Sequence, residues 1–477
     1  MKRIIQALAF SVIIIATVSF LSRIFHRPQE KDLNIVLISV DTVRPDHLST
    51  YGYKRNTDPN LKKLAEHSTV FENVFTLIPQ TYPSFAMMFT GKSPFSTGIF
   101  SNASPLLADE GKLFENTARV TDKTETMASI LQKNGYKTVS FITSGILHDD
   151  LTGLSHGFDS YNQFSENDIN EWKQDRESYD SFIETSTNWF AENRQEKFFY
   201  WIHLMDPHSP YYPPSDTRCL FQSDGNCKLI KEQSFSEINS FNSPYYACSS
   251  LEAPIDVIDR YSSLYDAEIM SSDRQVGEII DALERYNLME NTIIIYYSDH
   301  GESFEHQYYF AHGESLYNST LRIPLIIYNP LQKARKIVAQ QVTNLDILPT
   351  ILDLAQIPYT KDQFDGENIV SKDDFSANDN PIYFSNYNLT KFAVIKGQYK
   401  FILSRPNACL YGGAEEELYN IISDSEEKQN LVTLEPAIAG VLKKALEEHI
   451  SDLQITPSGE NQSENDTMLE ELKSLGY

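Results

Sequence analysis

The chain alternates short, unbroken apolar runs with longer stretches in which apolar positions recur every three or four residues. The runs at 34–40, 136–142, 197–204 and 292–297 read as strands, and the first has the pattern of a strand buried on both faces. Helical spacing fills the intervals, near 60–67, 126–134 and 261–286. Strands alternating with helices predict an α/β fold with a largely parallel central sheet sandwiched by helices. From about Phe364 the rhythm shortens to strands at 392–395 and 399–403 and a helix near 436–450. That change predicts a main domain over 31–363 and a smaller C-terminal α+β subdomain over 364–477, with a polar tail. Residues 218–254, rich in Ser, Asn and Cys, read as a loop insertion in the main domain.

In sheets of this kind ligands bind beyond the carboxyl ends of the strands. Three of the apolar runs end in acids and histidines: Asp41 after the first, Asp206 and His208 after the third, Asp299 and His300 after the fourth. A single aspartate at such a place commonly caps a helix. Three clusters at equivalent strand ends point instead to one shared polar site.

The N-terminus adds a location. Lys2 and Arg3 precede an uncharged apolar run over residues 4–22, and Arg23, His26 and Arg27 follow it. The run is long enough to span a bilayer. Residues 1–30 therefore read as a membrane anchor or a signal peptide, and either one exports the rest of the chain. A formal net charge of -26 repels phosphate backbones and argues against nucleic acid as a partner. The same charge means that an anionic substrate needs a metal or local basic groups to reverse the field where it binds. Four cysteines stand at Cys219, Cys227, Cys248 and Cys409. In an exported chain they either form disulfides, with Cys219 and Cys227 closing a short loop, or stay as buried thiols.

Four segments carry the chemistry. Residues 38–53 contain Asp41, Arg44, Asp46 and His47; residues 81–91 begin Thr81-Tyr-Pro-Ser84 and close on Thr90-Gly91. Residues 201–214 contain His203, Asp206 and His208, and residues 298–303 contain Asp299-His300-Gly301, followed by His312-Gly313 and Arg322-Ile-Pro324. In order and in type these segments resemble the sulfatase family of the alkaline phosphatase superfamily, from Asn34 to the end of the chain. The resemblance implies an ester hydrolase with one divalent metal held by Asp41, Thr81, Asp299 and His300. It implies Thr81 as the nucleophile, and His208 and His312 as groups that bind the substrate and protonate its leaving group. The substrate implied is an anionic ester of a glycan, a lipid or a small molecule. His47, His203 and His306 read as supporting residues, Arg44 and Arg322 as structural ion-pair partners, and Lys92 as solvated.

The chain departs from the family at informative places. Sulfatases open the nucleophile motif with a Cys or Ser that becomes formylglycine and close it with Arg; here Thr81 and Phe85 stand there. The paired acids of the first turn are reduced to Asp41-Thr42, and the usual Asn beside the second aspartate is His300. A mixed nitrogen and oxygen ligand set favours zinc or manganese, with calcium third. It is also the set of the related phosphoethanolamine transferases, so a transferase is the alternative to a hydrolase. A retired, metal-stabilised binding module is a second alternative.

Overall fold

A computed structural model describes residues 33–102, 118–164, 176–222, 253–370, 380–406, 408–411 and 413–453. The N-terminal run, most of 218–254, Cys227, Cys248 and the polar tail lie outside the described residues. Among the described residues, no helix is long and apolar enough to cross a membrane.

The central sheet is built from β1 (Asn34–Val40), β2 (Ser68–Phe75), β3 (Lys137–Ile142), β4 (Ser160–Gln163), β5 (Phe198–Leu204) and β6 (Thr292–Tyr297). A small hairpin follows, β7 (Ser303–Glu305) with β8 (Tyr308–Ala311), and then β9 (Arg322–Tyr328) and β10 (Lys336–Thr343) complete the large sheet. Its order is β10-β2-β9-β6-β1-β5-β3-β4. Strand β9 runs antiparallel to both neighbours, and every other pairing in the sheet is parallel. The expected α/β sheet is therefore present, with one reversed strand near its middle. Pro324 explains why β9 does not read as a strand from sequence. Proline cannot donate to a ladder, and β2 shifts register opposite it, between Phe71 and Val74.

Both faces of the sheet are covered. On β5, Phe198, Tyr200, Ile202 and Leu204 join the core beneath the long helix Ile255–Arg285, which contributes Tyr261, Tyr265, Ile269, Val276 and Ile279. Alternation along a strand sends Phe199, Trp201 and His203 to the opposite face. There they meet the helix Thr81–Thr90, with Phe89 4.6 Å and Phe85 5.2 Å from the Trp201 ring. Every residue of that helix is buried, so it lacks the polar stripe of a surface helix. Gly91, at φ 63°, ends it by returning its N–H to the Met87 carbonyl.

Toward the C-terminus a four-stranded antiparallel sheet forms from β11 (Ile382–Ser385), β12 (Lys391–Lys396), β13 (Tyr399–Ser404) and β14 (Glu416–Asn420). The helix Pro436–Asp452 packs Ala439, Leu442 and Leu446 against Phe392, Val394, Phe401 and Leu418. This is the smaller α+β element that the shortened rhythm predicts.

The turn after β6 depends on Gly301. A Cβ there would lie 2.0 Å from the Ser319 carbonyl oxygen, and the Gly301 N–H already donates to Thr320 O at 2.9 Å. Gly301→Ala must push this turn away from Ser319. Overpacking of this kind costs roughly 1–3 kcal/mol, so the substitution should lower the midpoint of chemical denaturation by that amount. An unchanged midpoint would show that the turn is free to move.

Candidate active site

Because β1, β2, β3, β5 and β6 point the same way, everything that follows them gathers along one edge of the sheet. Asp41 leaves β1 with its N–H bonded to the Leu204 carbonyl of β5. Asp299 and His300 leave β6, and the three side chains place one ligand atom each within 4.8 Å of one another, all buried. Thr81 arrives from the helix that follows β2, and its Oγ1 lies 3.3 Å from His300 Nε2. The four residues expected to hold a metal are thus brought together.

The local hydrogen bonds decide which atoms remain for a ligand. Oδ1 of Asp299 accepts the backbone N–H of Thr42 at 3.2 Å and of His300 at 3.0 Å. Its Oδ2 is buried and accepts no hydrogen bond; it sits 3.5 Å from His300 Nε2. The Nδ1 of His300 is spent on the Gly301 carbonyl at 3.0 Å, so the neutral ring turns a bare Nε2 lone pair into the cluster. Asp41 Oδ1 lies 3.8 Å from that same Nε2. Two carboxylates, an imidazole nitrogen and a hydroxyl facing one point fit a single divalent cation. The backbone is strained to build it. Thr42 has φ 56°, a conformation that costs a β-branched residue on the order of 1–3 kcal/mol. Its N–H to Asp299 and its carbonyl, which accepts the Tyr265 hydroxyl at 2.7 Å, hold it there.

The helix carrying Thr81 is pinned to the same corner. Ser84 Oγ donates to the Asp299 carbonyl at 2.8 Å, and Asn344 Nδ2 reaches Ser84 Oγ at 3.2 Å. At the first residue of a ten-residue helix, Thr81 stands where backbone N–H groups favour negative charge. His312 and His208 form the opposite wall. The His312 ring centroid is 4.2 Å from that of His300 and 5.1 Å from that of His208.

One supporting group, Glu302, was not assigned such a role by the sequence, and a second, His203, was read only as supporting. Glu302 is fully buried and places Oε1 3.2 Å from His312 Nδ1, holding that ring through one nitrogen. His203 lies 3.4 Å from Asp41. The only clue to Glu302 is its place two residues after His300. Of the other supporting residues, His47 pairs with Asp266 at 2.6 Å and Arg44 with Asp46 and Glu305. His306 stacks on Tyr317. Arg322 is not an ion-pair residue among the described contacts; its guanidinium caps the Glu72 carbonyl. Lys92 is not simply solvated, since it pairs with Asp365 at 3.0 Å. Cys219 and Cys409 are both disulfide-bonded, while Cys227, the expected partner of Cys219, lies outside the described residues.

The sulfatase sequence profile matches residues 33–357, and the profile of the C-terminal region of N-sulphoglucosamine sulphohydrolase matches residues 305–456. The chain belongs to the sulfatase family. As a member it is an ester hydrolase. It is 24% identical to arylsulfatase K of Canis lupus familiaris over 89% of this chain and 84% of that one. It is 27% identical to an arylsulfatase of Clostridium perfringens over 68% and 75%. Among solved structures, the phosphonate monoester hydrolase of Agrobacterium radiobacter superposes with a TM-score of 0.67 at 17% identity, covering 88% of this chain and 96% of that one. An enzyme solved with its substrate D-glucosamine-2-N,6-O-disulfate gives 0.67 at 18% identity, covering 90% and 100%. At these identities the superpositions establish the fold.

Electrostatics of the sulfatase site follow from burial. Burial pushes the His203, His208, His300 and His312 imidazoles down to about 4, the neutral form that a metal ligand or proton acceptor requires. Burial and the neighbouring Asp41 push Asp299 up to about 6. In metal-free protein each imidazole binds its proton less tightly folded than unfolded, so its contribution to stability falls as pH drops from about 6.5 toward about 4. Asp299 binds its proton more tightly folded and opposes this trend, as do the buried carboxyls of Asp273, Glu302, Glu314, Asp346 and Glu427. Removing one imidazole isolates its share: between about pH 6.5 and 4 the melting temperature of chelated His312→Asn should gain on that of chelated wild type as pH falls. A constant difference would show that His312 does not contribute.

Proposed function

We propose that this sulfatase-family chain is a metal-dependent hydrolase that cleaves a sulfate or phosphate ester outside the cytoplasm, with Thr81 Oγ1 as nucleophile. The observation that carries the reading is the position of Thr81: buried at the first residue of its helix, 3.3 Å from a nitrogen of the candidate ion site. A bound ion, zinc or manganese before calcium, would supply the positive charge that stabilises a threonine alkoxide and the oxygens of the ester. An imidazole among the ligands supports that order, since calcium takes six to eight oxygens.

The chain's own groups then divide the work. Thr81 Oγ1, its proton given up to solvent, bonds to the sulfur or phosphorus as the bond to the ester oxygen breaks. That oxygen leaves with a proton from His208 or His312, whichever lies beside it, while the other imidazole holds a non-bridging oxygen. An anionic ester next to these rings raises their proton affinity from the low value that burial imposes. Water next attacks the same central atom, returns a proton to the imidazole and frees Thr81. The sulfated glucosamine held by the structural neighbour supports a sulfated sugar as substrate class. The apolar run at 4–22, read as anchor or signal peptide, supports export.

The test measures turnover of matched aryl sulfate, aryl phosphate and aryl phosphodiester, and of a sulfated glucosamine, with zinc, manganese or calcium. Thr81→Ala should lower kcat by at least about a thousandfold, in line with removal of other covalent nucleophiles, and Thr81→Ser should keep part of the activity. Turnover that survives Thr81→Ala would transfer the attack to water and end the covalent mechanism.

A further inference from the structure

The geometry points to a role for His203: we infer that it is a positioning residue that engages one oxygen of Asp41 and so reserves the other for the ion. This rests on the reading of Asp41, Asp299 and His300 as the ion's ligands. His203 is fully buried near the end of β5, on the face that the Thr81 helix covers. Its Nε2 lies 3.4 Å from Asp41 Oδ2, while Oδ1 of the same carboxylate lies 3.8 Å from His300 Nε2. Two imidazoles thus approach opposite oxygens of one ligand.

The other side of the ring is also set. His203 pairs in register with Ser39 of β1, and its Nδ1 is 3.1 Å from Ser39 Oγ. Ser39 Oγ accepts the Trp201 indole N–H at 2.9 Å. Its own proton is left for the Ile202 carbonyl or for His203 Nδ1, both at 3.1 Å. When Nδ1 takes it, the neutral imidazole carries its proton on Nε2, which forms no hydrogen bond in this structure and lies within reach of Asp41 Oδ2, the tautomer that an adjacent carboxylate stabilises. Phe85 fixes the ring plane from a third side, edge-on with centroids 5.0 Å apart at 82°. Phe85 stands where the family motif carries Arg, so this wall is apolar and the polar group nearest Asp41 Oδ2 on this side comes from the neighbouring strand.

A purely structural reading of His203 explains less. A leucine or phenylalanine would fill a buried strand position without the cost of desolvating two ring nitrogens. The imidazole gains its place through Ser39 and Asp41, and fixing a ligand's orientation before the ion arrives removes part of the ordering cost of binding.

The experiment uses the full chain, stripped with a chelator and titrated with zinc and manganese, and reads metal content after dialysis and the metal-induced rise in melting temperature. His203→Ala should bind roughly 10–100-fold more weakly, the range seen when such outer partners are removed. His203→Gln, which keeps an N–H donor, should recover part of the loss, and Ser39→Ala should lose less than His203→Ala. Melts in chelator separate folding from binding; if His203→Ala does not fold there, His203→Gln and Ser39→Ala decide the outcome by the same comparison. Wild-type affinity in His203→Ala, or in both other variants where that one does not fold, would overturn the role while leaving the ligands intact. Absence of metal uptake by the wild type would instead bring down the ligand reading, and this role with it.

Discussion

Two carboxylates buried beside one another, Asp41 and Asp299, set the terms for the rest of this site. Each costs several kcal/mol to take out of water, and burial together with the repulsion from Asp41 raises the proton affinity of Asp299. The imidazoles around them are held neutral by burial and do not cancel that charge. A cation does. The surroundings are arranged to keep the two acids in place until it binds: two backbone N–H groups on Asp299 Oδ1, an imidazole on either side of Asp41, and a turn that only glycine can complete at Gly301.

The strained Thr42 belongs to the same arrangement. Its N–H reaches Asp299 only because the chain leaves β1 in a left-handed conformation. The family's second acid at this position is absent, and what the residue contributes here is its backbone. The site therefore trades a side-chain ligand at 42 for a main-chain donor, and brings in His300 where the family has an amide. Only the second change brings a nitrogen into the candidate donor set.

Much of this was legible in the sequence, and the exceptions have physical causes. Strands β1, β5 and β6 are buried on both faces, so their composition announces them, and the acids at their carboxyl ends mark the site. Strand β2 hides because Glu72 and Asn73 interrupt it where it bulges opposite Pro324, and β9 hides because of that proline. Strand β10 lies at the sheet edge, half exposed, with its apolar residues interrupted by polar ones. Among the site residues, Asp41, Thr81, Asp299, His300, His208 and His312 could be named from motif and strand ends. Glu302 could not, because nothing in its neighbourhood distinguishes a buried carboxylate from a solvated one until β7 and β8 fold His312 back over it.

The candidate ligands come from residues 41, 81, 299 and 300, and the strands that carry Asp41 and Asp299 are neighbours in space although some 250 positions separate them in the chain. Loops of that length close late in folding, because their entropy must be spent before any contact is gained. No fragment of the chain short of that pairing contains the cluster, so an ion cannot serve as a nucleus for assembly. Metal uptake would then act as a lock applied to a finished sheet, and the protein would have to complete its fold before it could load the ion.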